Sequence, residues 1–272
     1  MTSAAAGARR LRADRARHLA RGLALAFALL IAASLLAQPS SARTTIDLEI
    51  AGRIVAVDIY APPAGQAPRG AAILSHGFTR NRTTMGEHAA ALAAAGVIAL
   101  TPDMPHTFDF RRNAEGLAQL VGLLRKGGMF GPPVERAVLI GFSAGALSSL
   151  LAAATPGVVG YVGLDAFDRT SDGGRQALGR DFAPALRTEA ILLRAPASRC
   201  NAEAVSAPWA QRLPALVSDR VIEHASHCDF EAPTDWMCRL ACGAADPGRQ
   251  AIVRTTLLEA IARWLPAINA RP

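Results

Sequence analysis

Lysine is almost absent from this chain: Lys126 is the only one, so arginine supplies nearly all the positive charge. Cysteine is absent before Cys200, which excludes a lipid-modified cysteine near the N-terminus. There is no CxxC pair among Cys200, Cys228, Cys238 and Cys242, and that spacing argues against a Cys-only zinc site. No internal repeat or low-complexity linker divides the chain, so it reads as one folded domain. The apolar run at residues 22–37 is sixteen residues long, short of the roughly 20 usually needed to span a bilayer.

What precedes and follows that run explains it. Arg9, Arg10, Arg12, Arg15, Arg17 and Arg21 come before it, and Gln38-Pro39-Ser40-Ser41-Ala42 comes after it. A positive segment, an apolar segment and a small-residue site form an export signal. The expectation is a signal peptide at residues 1–42, cleaved after Ala42, and a secreted or periplasmic domain at residues 43–272. An uncleaved N-terminal anchor is the alternative, and only then is a membrane a partner. Without residues 1–42 the formal charge falls from +7 to about +2, which gives no support to nucleic-acid binding. In an exported chain four clustered cysteines read as two disulfides. Of the three possible connectivities, Cys200 with Cys228 and Cys238 with Cys242 is the expected one.

Hydrophobic patterning sets the fold class. Residues 46–50 and 54–60 alternate around Ala51-Gly52, as an antiparallel pair does. Short apolar runs follow at 71–74, 97–100, 137–140, 158–164, 190–193 and 220–223. Helical stretches interleave at 87–95, 114–124, after residue 143 and at 252–265. Buried strands alternating with helices after an antiparallel start imply a mostly parallel central sheet with helices on both faces. Ligands of such sheets bind beyond the carboxyl ends of the strands.

The chemistry concentrates at those ends. Gly141-Phe142-Ser143-Ala144-Gly145 lies between the run 137–140 and a helical stretch, which is the strand, turn and helix context of a nucleophile elbow. A serine hydroxyl attacks well only when held exposed beside a base, with N–H donors near the developing oxyanion. Ser75-His76-Gly77-Phe78 follows another strand, so the backbone N–H groups of Phe78 and Ala144 are the expected oxyanion-hole pair. His76 is read as a ring that shapes this loop by hydrogen bonding. With Phe142 and Phe167 it is also a candidate substrate contact, and Phe78 and Phe167 suit an apolar acyl pocket.

Past the last strand stand His224, at the strand edge, and His227, in the following loop; His227 is the expected base. His88, on a helix read as superficial, and His106, in a Pro-flanked loop, are read as solvated or rim residues. No carboxylate follows the run 190–193, so the acid is sought after the preceding strand, where Asp165 stands at the strand end and Asp168 three residues on. Asp165 is the expected acid and Asp168 a structural or solvated group. Asp103 is read as fixing a loop.

The order Ser143, Asp165, His227 is the nucleophile, acid and base order of α/β-hydrolases. Over residues 46–266 the chain resembles a chlorophyllase-like α/β-hydrolase of the bacterial sort, and is also similar to secreted cutinase-type and polyester hydrolases. The resemblance rests on the segments at Ser75 to Phe78, Gly141 to Gly145, Gly163-Leu164-Asp165 and Ser226-His227-Cys228-Asp229. Plant chlorophyllases resemble Gly-His-Ser-Arg-Gly at the elbow, where this chain has Phe142 and Ala144, and no Trp stands between residues 150 and 200. The resemblance implies an α/β-hydrolase fold and a monomeric serine esterase with the triad Ser143, Asp165 and His227. It would take a small or lipophilic ester, without cofactor or metal. An acyltransferase or thioesterase on the same site, or a non-catalytic exported binding protein of this fold, are the alternatives.

Overall fold

The computed structural model describes residues 43–169 and 177–267; the segment read as an export signal lies outside them. Eight strands form one sheet: β1 (Arg43–Ile50), β2 (Arg53–Tyr60), β3 (Ala71–Ser75), β4 (Ile98–Pro102), β5 (Ala137–Phe142), β6 (Val158–Leu164), β7 (Ala190–Arg194) and β8 (Leu216–Val221). Their spatial order is β1-β2-β4-β3-β5-β6-β7-β8. The hairpin β1-β2 and the pair β2-β4 are antiparallel, and all other pairs are parallel. This is an α/β-hydrolase fold.

Successive side chains on a strand point to opposite faces, so the continuous apolar runs of β3 and β5 serve two cores at once. Ala72, Leu74, Val138 and Ile140 pack with α1 (Gly86–Ala94) and α6 (Pro247–Trp264). Ala71, Ile73, Ala137 and Leu139 pack on the other side with α2 (Phe110–Lys126). A third cluster joins α3 (Ala144–Ala152) to Tyr161, Leu192 and Trp209. Asp109 and Asp246 accept backbone N–H bonds at the starts of α2 and α6, and so fix where those helices begin. Two short helices complete the order, α4 (Leu178–Phe182) and α5 (Trp236–Cys242). Among the described residues no helix is long and apolar enough to cross a membrane.

The structure corrects three expectations. The last strand runs from Leu216 to Val221, so it starts four residues before the run expected at 220–223 and shares only residues 220 and 221 with it. It is an edge strand with an exposed face, so its hydrophobic signal is weak; His224 lies beyond it in an exposed turn at φ 59°. The disulfides join Cys200 to Cys242 and Cys228 to Cys238. Cys238 and Cys242 stand one turn apart on the inner side of α5, and each pairs with a different loop instead of with the other.

The third concerns the histidines. His106 is half-buried, with Nε2 bonded to the Ala51 carbonyl and its backbone N–H to Asn113. His88 is fully buried under α6, its Nε2–H donating to the Phe230 carbonyl and its Nδ1 without a partner. An apolar helix face and a buried histidine share one periodicity, so only packing distinguishes them.

Burial, reinforced by the nearby Arg254 charge, holds the His88 imidazole down to about 4 from its ordinary 6.5. Between these values the unfolded chain binds the proton and the folded protein does not. His88 therefore contributes its full stability above pH 6.5 and loses about 3 kcal/mol of it as pH falls to 4. His88→Gln should flatten that part of the stability profile in urea titrations between pH 4 and 7. An unchanged slope would contradict the assignment.

Candidate active site

β5 delivers its chain straight into Ser143, which holds φ 52° and ψ −119° immediately before α3. A positive φ is costly for a residue with a Cβ, so the surroundings must impose it. The Ser143 N–H donates to the Leu164 carbonyl at 3.0 Å, and its own carbonyl accepts from Ala146 at 3.0 Å and Phe167 at 3.1 Å. The flanking glycines are required sterically: a Cβ on Gly141 would meet the Gly145 carbonyl, and one on Gly145 would meet the carbonyls of Ser75 and His76. The turn therefore packs against the loop after β3. A Cβ on Gly77 would stand 3.2 Å from the Ser143 Cβ.

That loop is stapled by His76. Its Nδ1–H donates to the Gly77 carbonyl at 2.8 Å, and its Nε2 accepts the Met104 N–H at 3.0 Å, which requires a neutral ring. Burial lowers its pKa, consistent with that tautomer. Among the described residues the Phe78 and Ala144 N–H groups have no protein acceptor, and both residues line the cleft that holds Ser143.

Asp165 directly follows β6 at φ 38° and is buried. Its Oδ2 lies 2.6 Å from His227 Nδ1. Its Oδ1 is occupied by the Ala195 N–H at 2.9 Å and Asn201 Nδ2 at 3.2 Å. With Nδ1–H donating to the carboxylate, the neutral ring keeps Nε2 as an acceptor. His227 begins a single 3₁₀ turn (His227–Phe230), held by Asp229, which accepts from the Ser226 and Asp246 N–H groups and from Arg249. The Cys228–Cys238 disulfide secures the same turn. The Phe142 ring packs against the His227 ring with centroids 4.6 Å apart.

Ser143 and His227 line one cleft of about 900 Å³. Phe78, Phe108, Phe110 and Phe167 supply its apolar walls, Arg80, Arg169 and Arg199 its cations, and Cys200 and Cys242 part of its rim. Among the described residues no hydrogen bond joins Ser143 to His227; such bonds are often loose before substrate binds. Two expected substrate contacts stand elsewhere. Phe142 is buried beneath His227, and His76 faces a smaller cavity of about 210 Å³ behind Phe78.

Asn201 was not legible as a site residue, because its partner Asp165 is 36 positions away and no motif joins them. The buried pair of Arg80 and Glu231, 2.7 Å apart beside the cleft, escaped for the same reason. Asp168 is a structural group and not a solvated one: it is buried and accepts from the Gly179 and Arg180 N–H groups and from Trp209 Nε1 at 2.8–2.9 Å. Asp103 binds the backbone and guanidinium of Arg82, fixing that loop.

No family model and no curated protein matches the chain. Solved structures do. A dienelactone hydrolase from Anabaena variabilis superposes with TM-score 0.63 at 17% identity, over 83% of this chain and 99% of that one. The esterase domain of a Rhodothermus marinus protein gives 0.60 at 20% identity, over 82% and 99%. A lidless α/β serine hydrolase from Xanthomonas campestris gives 0.58 at 18% identity, over 84% and 97%. At these identities the likeness establishes the fold.

Removing the Asp168 carboxylate leaves three buried donors without acceptors. Asp168→Ala should lose about 3 kcal/mol or more of stability in urea unfolding. A loss under about 1 kcal/mol would mean that water replaces the carboxylate there.

Proposed function

We propose that this protein hydrolyses carboxylic esters, with Ser143 as nucleophile, His227 as base and Asp165 as the acid that orients it. The observation that carries this reading is the 2.6 Å contact between buried Asp165 and His227 Nδ1, on a histidine that shares its cleft with Ser143 at a strained strand-to-helix turn. The serine-hydrolase and esterase names of proteins sharing the fold support the same chemistry.

Ser143 Oγ attacks the acyl carbon while its proton passes to His227 Nε2. Negative charge gathers on the former carbonyl oxygen, where the N–H groups of Phe78 and Ala144 stabilise it; Ala144 adds the positive end of α3. Collapse of the tetrahedral intermediate returns the proton to the departing alcohol and leaves an acyl-serine. Water, deprotonated by the same ring, then releases the acid. Asp165 stays ionised, holds the tautomer and stabilises the imidazolium. The phenylalanine walls favour an apolar acyl or alkyl part. The two disulfides favour an oxidising compartment, which agrees with export through residues 1–42.

A fluorophosphonate probe should label wild-type protein at Ser143 and leave Ser143→Ala unlabelled. On p-nitrophenyl esters from acetate to palmitate, Asp165→Asn and His227→Ala should lose at least about 10³-fold in kcat. Asn201→Ala removes one of two donors to Asp165 Oδ1 and should lose about tenfold in kcat with little change in KM. Labelling at another serine, or near-normal turnover in Asp165→Asn, would refute the reading.

A further inference from the structure

We propose that the mouth of this cleft docks on an anionic lipid surface, from which a lipophilic ester reaches Ser143; the ester part rests on the function proposed above, and the docking part does not. Nine large apolar side chains are exposed among the described residues; Phe78 and Phe108 line this cleft, and Trp236, Met237 and Leu240 lie on α5, whose last residue also lines it. Scattered exposed apolar residues need no explanation, but a group collected at one opening does. Phe78 and Phe108 line the cleft and lean on each other with ring centroids 5.1 Å apart.

The other three lie on α5. Its last residue, Cys242, lines the cleft, and its N-cap, Asp235, is 3.7 Å from cleft-lining Arg80. Met237 and Leu240 are three positions apart and Trp236 and Leu240 four, so all share one face of the helix. Leu240 is 80% and Trp236 63% exposed. The helix cannot turn this face inward, because Cys238 and Cys242 bind its opposite side to two loops. Its exposure is thus a built feature of the folded protein.

Charge selects the occupant. α5 contains Arg239 and no acidic residue, and exposed Arg199 stands at the cleft edge. The cleft lining itself includes arginines and, among the described residues, no carboxylate, and Asp235 at the start of α5 is engaged by Arg80 and by the first N–H groups of the helix. An apolar face carrying tryptophan beside arginine matches the boundary between anionic headgroups and acyl chains. A tryptophan with its ring in the apolar layer and its N–H toward water suits the same place.

Trp236 reports on this directly, because the other two tryptophans, Trp209 and Trp264, are buried. Full-length Ser143→Ala protein is mixed with vesicles of phosphatidylglycerol and phosphatidylcholine carrying brominated acyl chains. The expected result is a blue shift and quenching of emission that disappear in Trp236→Phe. Partition should fall at least about tenfold in Met237→Ser/Leu240→Ser, and also on raising salt to about 0.5 M. The N-terminal segment holds no tryptophan, so the Trp236 blue shift and quenching, and their loss in Trp236→Phe, follow insertion of α5 and not vesicle binding by that segment. An unquenched Trp236, an equal response in Trp236→Phe, or an equal response to phosphatidylcholine alone would overturn the proposal. So would burial of Trp236 by self-association without vesicles, which would assign the face to a second copy. Because the Ser143→Ala background has no nucleophile, docking can succeed or fail independently of probe labelling in the wild type.

Discussion

The constraint on which the site depends is the close approach of the α3 N-terminus to the loop after β3. Gly145 lies directly against the carbonyls of Ser75 and His76, and Gly141 lies against the first turn of the helix. A methyl group at either position would push the two segments apart. Their contact places Ser143 beside Gly77 and brings the Phe78 and Ala144 N–H groups to the same cleft. The unfavourable backbone angles of Ser143 persist because the ends of β6 and α3 hydrogen-bond to its N–H and carbonyl. His76 extends the same scaffold by bridging the loop to Met104, and its burial keeps the ring neutral for that role.

Competition for lone pairs separates the two aspartates after β6. Asp165 uses one oxygen to fix its own orientation, through Ala195 and Asn201, and presents the other to His227. Asp168 has both oxygens engaged by donors from the α4 segment and Trp209, and neither bonds to an imidazole among the described residues. Two carboxylates three residues apart thus perform different work. One orients a ring at the cleft, and the other replaces water for a buried loop.

The same division holds in the C-terminal third. Asp229, Arg249 and the Cys228–Cys238 bridge immobilise the turn that carries His227. The Cys200–Cys242 bridge ties the segment of Asn201 to the end of α5. The two disulfides therefore brace the supports of both Asp165 and His227, and they also fix the inner side of α5, leaving its apolar face outward. Stability and site geometry are coupled there through covalent links as well as through the buried cluster of Ile222, Ala225, Phe230 and α6.

Local chemistry sufficed for much of this. The eight strands, their alternation with helices and the Gly141 to Gly145 elbow follow from hydrophobic period and from steric demands that act within a few residues. The choice of Asp165 and His227 followed from their places just beyond strand ends. What needed the tertiary structure was every feature set by distant partners. The limits of β8 depend on its being an edge strand, and the burial of His88 depends on α6 packing over it. The disulfide pairing depends on which loops face the inner side of α5. The pairing of Asn201 with Asp165 and of Trp209 with Asp168 arises from contacts spanning tens of residues. A sequence period reports whether a side chain turns inward, whereas only the assembled fold decides which donor, acceptor or sulfur it meets there.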